Sequence, residues 1–207
     1  VTGLLGVLYN RLILGALDLS ARFPRVGPEA KAAIIGAVVG LLLFIDPIVV
    51  GDGHRLNEHM LAGSVTLASV LGYFLIRFVL GPISYAAGTP GGLFAPLLVV
   101  GAAFGVLCSG GIEQVLPSMA DQTVAFAIVG MAAMFTAVVR SPLTGIVLIS
   151  EMTATSTLFL PLIIAVFAAL LVTTVMRAEP IYDSLWHRHR LQLDQLSGRA
   201  EPEPPPR

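Results

Sequence analysis

The sequence predicts an all-α, polytopic membrane protein, and three observations carry that prediction. Of its 207 residues, 56% are hydrophobic and 12% charged, with a mean hydropathy of +0.86; ordinary soluble domains are about a quarter charged. The charges are also unevenly placed: from Met60 to Arg177 they fall at Arg77, Glu113, Asp121, Arg140, Glu151 and Arg177. Charge-free runs occupy 32–45, 60–76, 78–112, 122–139 and 152–176, and about 20 apolar residues suffice for a helix to cross hydrocarbon. Some runs are too short for a full crossing. The run 78–112 is long enough for more than one element and is interrupted by Gly81-Pro82, Gly88, Pro90 and Gly91-Gly92, residues that stop helices. In membranes, short and Gly/Pro-interrupted segments are the best sequence pointer to a transport site.

The helices expected from this pattern span 1–22, 29–48, 55–62, 65–86, 93–112, 123–138, 142–153, 157–177 and 181–196. Residues 1–196 read as one transmembrane unit. Residues 197–207 are rich in Glu and Pro and read as a disordered cytoplasmic tail, because such a composition buries no core. The chain opens at Val1 in apolar sequence with no basic leader, and the expectation is a cut through a longer protein. Arg22, Arg25 and Lys31 group with Arg140, Arg177, Arg188 and Arg190 on one side under alternation, and Asp46, Asp52, Glu58, Glu113 and Asp121 on the other. The positive-inside rule puts the first group and the C-terminus in the cytoplasm. A net charge of −1 gives no reason to expect a nucleic-acid partner. Cys108 is the single cysteine, so no internal disulfide forms.

The most informative stretch runs from Ser84 to Pro96, Ser-Tyr-Ala-Ala-Gly-Thr-Pro-Gly-Gly-Leu-Phe-Ala-Pro. Residues 88–92 cannot be regular helix, whereas 93–107 is apolar and helix-compatible, so a helix starts near Gly92 at membrane depth. Its opening amides, at Leu93 and Phe94, have no intrahelical acceptor and carry about half a positive charge from the helix dipole. Left unpaired in hydrocarbon, each amide would cost several kcal/mol, on the order of 2–7; an anion is their natural partner. Gly91 and Gly92 allow close approach, and Pro96 sits in the first turn, where a missing N–H matters least. A plain helix start packed on its neighbours is the alternative for this segment taken alone. Tyr182, just after Pro180, is either a neutral hydroxyl donor or an interfacial belt tyrosine.

Three segments resemble one family. Gly91-Gly92-Leu93-Phe94-Ala95-Pro96 is similar to the G-G-[IL]-F-x-P signature of ClC chloride channels and chloride/proton exchangers. Arg140-Ser141-Pro142-Leu143-Thr144-Gly145 followed by Glu151-Met152-Thr153 is similar to that family's R-[AS]-P-L-T-G…E-M-T segment. Glu179-Pro180-Ile181-Tyr182 resembles its [KD]-P-[IL]-Y helix entry, and Gly51-Asp52-Gly53 an earlier Gly-rich bend. Thr89 and His54 depart from the usual residues. The resemblance implies the second half of an inverted-repeat fold with tilted, broken helices, plus its last helix. It implies chloride held by the amides of Leu93 and Phe94 and by the Tyr182 hydroxyl, no cofactor and no enzymatic activity. Also implied are protons as a second substrate in exchangers, a homodimer, a bacterial inner membrane, and dependence on an N-terminal half that carries the gating glutamate.

Two other functions compete with anion transport: an intramembrane serine hydrolase using Ser141 or Ser150 with a histidine, and a cation-coupled carrier with broken helices. Glu151 reads as a helix-end carboxylate hydrogen-bonded to backbone, with a proton relay as the alternative. Arg77 is expected to snorkel or pair. Ser141 is expected to cap the helix opened by Pro142. Gly36-x-x-x-Gly40 and Gly101-x-x-x-Gly105 are expected at close helix contacts. His187 and His189, two apart on a helix, make poor joint metal ligands.

Overall fold

The computed structural model describes residues 1–207 except 24, 25, 52, 63, 64, 89–91, 155, 156 and 198–207, and the side chains of all other residues except 120, 121, 192 and 194–197. Among the described residues the secondary structure is entirely helical: α1 (Thr2–Ala21), α2 (Pro28–Ile45), α3 (His54–Leu61), α4 (Leu67–Tyr85), α5 (Phe94–Glu113), a 3₁₀ turn (Pro117–Gln122), α6 (Thr123–Val139), α7 (Pro142–Thr153), α8 (Phe159–Val175) and α9 (Ile181–Ser197). Helices α1, α2, α4 and α5 are long and apolar enough to cross a membrane; α6, α7 and α8 are apolar but shorter. The expected helix set is present. The 3₁₀ turn was not foreseen, and α9 runs through Ser197; the rest of the expected tail lies outside the described residues.

The breaks between helices follow local chemistry. Thr66 caps α4 by accepting from the Ser69 amide at 3.3 Å, and Gly88, at φ +76°, takes the left-handed conformation that ends the segment. Helix α6 ends with Arg140 at φ 63° and α8 with Arg177 at φ 49°. The amides of Arg177 and Ala178 return to the carbonyls of Thr174 and Thr173, the paired bonds of a Schellman ending.

The core is built on α5 and α6. Leu97, Leu98, Met134 and Val138 are fully buried there, and the two backbones meet at glycines. A Cβ added at Gly101 would press on the Gly130 carbonyl oxygen, and one at Gly105 would fall on that of Phe126. The second small-residue pair behaves differently: Gly36 and Gly40 have nothing within 4 Å, and α2 buries no residue among those described. The expectation of close packing is met at Gly101 and Gly105 and corrected at Gly36 and Gly40. The physical reason is that small size permits approach without causing it.

The bend after α2 is docked on α4 and α5. Gly51 and Gly53 both sit at φ +86°, and a Cβ on Gly53 would collide with the Val99 side chain. Arg77 is 6% exposed. It donates to the carbonyls of Gly51 at 2.8 Å, Val50 at 2.9 Å and Ile48 at 3.1 Å. The Tyr73 hydroxyl donates to Asp46 at 3.0 Å, and Asp46 in turn accepts from the Ile48 amide. Carbonyls released by an irregular turn in an apolar setting need donors, and α4 supplies them. Arg77 pairs with backbone rather than snorkelling to the surface.

Two outcomes follow for thermal unfolding in detergent. Gly105→Ala is expected to destabilise by about 1–3 kcal/mol through overpacking, whereas Gly36→Ala is expected to be neutral or slightly stabilising; equal effects would contradict the packing described. Arg77→Met leaves three carbonyls without their donor and is expected to cost on the order of 2–4 kcal/mol, with Arg77→Lys recovering part of it. An unchanged midpoint for Arg77→Met would show that the bend does not depend on it.

Candidate functional site

The start of α5 is a helix N-terminus without a side-chain cap. Leu93 occupies the N-cap with φ −78° and ψ −14°, makes no side-chain cap bond, and is followed by the first helical residue, Phe94. The Leu93 carbonyl accepts from the Leu97 amide at 3.1 Å. Among the described residues, no protein acceptor bonds the Leu93 or Phe94 amide. The Leu93 side chain is buried. The Phe94 ring packs edge-on against Phe135 at 5.5 Å, so hydrophobic anchors on α5 and α6 fix the backbone that bears the free amides. Gly92 is exposed and Pro96 half-buried beside them; Gly91 lies outside the described residues.

A cavity of about 320 Å³ opens at this helix start. Gly92, Leu93 and Pro96 line one side, Ser84 and Tyr85 from the end of α4 another, and Arg77 with Gly51 a third. Its wall thus contains the α5 start and one fixed cation whose donors are engaged by the docked bend. Tyr182 lies in the first turn of α9, 48% exposed, and is within electrostatic range of Tyr85. Tyr85 lines the cavity at Leu93.

Tyr85, Ser84 and Arg77 were not assigned to the site from sequence. The available signals were an arginine inside an apolar helix and two hydroxyls just ahead of the Gly/Pro break.

The other candidate residues fall elsewhere. Ser141 is the N-cap of α7, as expected, but its hydroxyl pairs with that of Thr144 at 2.6 Å instead of capping an amide. Ser150 donates to the Ile146 carbonyl at 2.7 Å. His187 and His189 are exposed on α9, with the His187 ring against Trp186. No serine–histidine pair forms among the described residues. Glu151 is exposed in the last turn of α7 and its carboxylate bonds no described backbone group. The expected backbone bond is corrected: Glu151 is exposed at the end of α7, where water can solvate its carboxylate. Among the described residues no cluster of three metal-ligating side chains occurs.

Comparison with known proteins agrees with this architecture. A family model described as voltage gated chloride channel matches residues 1–174. The chain is 36% identical over 204 residues to the H(+)/Cl(-) exchange transporter ClcA of Vibrio parahaemolyticus serotype O3:K6, covering 97% of this chain and 44% of that protein. It is 34% identical over 203 residues to the ClcA of Yersinia pestis bv. Antiqua (strain Angola), covering 94% of this chain and 41% of the relative. The chain thus spans less than half the length of these relatives. Among solved structures, a slow cyanobacterial Cl-/H+ antiporter superposes with a TM-score of 0.82 at 29% identity, over 91% of this chain and 46% of that one. A eukaryotic CLC transporter shares the fold, at a TM-score of 0.75 and 23% identity over 89% of this chain and 32% of its own. This all-helical membrane chain belongs to the voltage gated chloride channel family.

Proposed function

We propose that the chain is the C-terminal half of a chloride/proton exchange transporter and supplies half of its central anion site. The observation that carries this reading is the pair of amides at the start of α5 with no acceptor among the described residues, at a helix start whose Gly92, Leu93 and Pro96 line a cavity. A helix N-terminus presents about half a positive charge together with aimed N–H groups. A neutral donor set holds a halide without the tight grip of a full charge, which suits rapid passage. The Tyr182 hydroxyl completes this half of the site from the α9 side. In this reading Gly91 and Gly92 keep side chains away from the ion, and Pro96 starts the helix without removing a needed donor.

Exchange is preferred to simple conduction because the bacterial relatives are named as H(+)/Cl(-) exchange transporters. Their greater length supports a second, inverted half that brings the remaining donors and the proton-carrying glutamates. The functional unit is a homodimer with one pathway per subunit. Exposed Leu143 and Val147 on α7, with Leu160, Ile164, Phe167 and Leu171 on α8, form an apolar face suited to that contact. The basic residues put the C-terminus in the cytoplasm of a bacterial inner membrane. A cation-coupled carrier is disfavoured, since the lining of the cavity among the described residues includes the Arg77 guanidinium and no carboxylate.

The test is a substitution that deletes one donor while preserving the backbone. Proline accepts the φ of Leu93 and has no N–H. In the full-length transporter, Leu93→Pro is expected to weaken chloride binding measured by titration calorimetry about tenfold or more, in line with the loss of a hydrogen bond to a charged partner. Reconstituted chloride flux should fall with it. Unchanged affinity in a folded Leu93→Pro protein would reject the role of this amide.

A further inference from the structure

We propose that Arg140 and Asn10 are positioning residues for Tyr182, acting as two bolts on the linker that feeds α9. The inference rests on the reading of Tyr182 as an anion donor and extends it to residues that lie outside the cavity.

The geometry converges on two consecutive linker positions, Ala178 and Glu179. Helix α6 turns off at Arg140 in the left-handed region, which aims its side chain at the end of α8. There its guanidinium donates to the carbonyl of Thr173 at 2.6 Å and to that of Ala178. Thr173 also accepts from the Ala178 amide, so the arginine fastens onto a closed Schellman ending, a rigid target. Asn10, 5% exposed in the middle of α1, donates across the molecule to the Glu179 carbonyl at 3.3 Å and the Val138 carbonyl at 3.4 Å. The corner between α6 and α7 and the corner between α8 and α9 are therefore tied to each other and to α1.

From the second bolt to Tyr182 there is little freedom left. Pro180 fixes its own φ, the Ile181 side chain is fully buried, and the Ser184 amide closes onto the Pro180 carbonyl at 3.2 Å. The Ser184 hydroxyl donates to the Glu179 carboxylate at 3.1 Å. The exposed phenol at 182 thus hangs from a first turn whose backbone is held at 178, 179, 181 and 184. Its backbone is located by these bonds.

Asn10 splits its donated bonds between the last turn of α6, at Val138, and the linker, at Glu179, while its side-chain oxygen is buried with no partner among the described residues.

The experiment is a double-mutant cycle on the full-length transporter, read by chloride calorimetry and by the ratio of chloride to protons moved in liposomes. Arg140→Lys, which keeps the charge and loses the two-carbonyl reach, and Asn10→Leu are each expected to weaken chloride binding about fivefold and to shift the exchange ratio. In a Tyr182→Leu background neither is expected to have a further effect on affinity, because what they position is gone. Full, additive losses in that background would overturn the proposal, as would unchanged affinity and exchange ratio when Tyr182→Leu itself weakens binding. If Tyr182→Leu leaves binding intact, the anion-site reading fails first and this inference falls with it. Should Asn10→Leu not fold, Arg140→Lys carries the same cycle alone.

Discussion

Backbone polar groups freed in an apolar protein must find partners, and this requirement organises the structure. Every break between helices in a membrane chain releases carbonyls or amides that lipid cannot satisfy. After α2, the carbonyls at 48, 50 and 51 are taken by Arg77. At the end of α8, those at 173 and 178 are taken by Arg140, and the next one, at 179, by Asn10. The charged and amide side chains inside this apolar fold are thus spent on main-chain oxygens. The starts of α2, α3, α6, α7, α8 and α5 carry no side-chain cap, and at α5 the residues Gly92, Leu93 and Pro96 line a cavity together with Arg77.

This pattern connects stability to function. An arginine buried on three carbonyls or reaching across two corners rigidifies irregular backbone without forming an ion pair, so the charge is neutralised by dipoles whose positions are fixed. The packing of α5 on α6 through Gly101, Gly105 and Gly130 then sets where the α5 start lies. Electrostatic stabilisation of a passing ion works only if the donors do not have to reorganise as the ion arrives. In the site proposed above, the tight glycine seam, the Phe94–Phe135 contact and the docked bend supply that preorganisation, and Tyr182 comes from a separately braced helix.

Much of this was legible in the sequence because membrane-depth Gly/Pro breaks are locally encoded. The ends of α4, α5, α6 and α7 fall where Gly88, Leu93, Arg140 and Pro142 lie, and the α5 amides follow from the helix start alone. The 3₁₀ turn at Pro117–Gln122 was hidden in a loop with no strong periodicity. What could not be read was long-range partnership. Asn10 meets Glu179 169 residues away and Arg140 meets Ala178 38 residues away, and no local pattern announces such a pair. The two small-residue motifs look alike in sequence yet one is packed and the other open, because packing belongs to both helices. The same limit explains Glu151: its position at a helix end was evident, whereas the absence of a backbone partner depends on which face meets its neighbours.

The central claim is that a halide sits on the free end of α5. Crystals of the full-length transporter grown in bromide, measured at the bromine absorption edge, address it most directly. An anomalous peak within hydrogen-bond distance of the Leu93 and Phe94 nitrogens, with the Tyr182 hydroxyl on its other side, is the expected result. A map in which those nitrogens bond protein carbonyls while bromide lies elsewhere would contradict it.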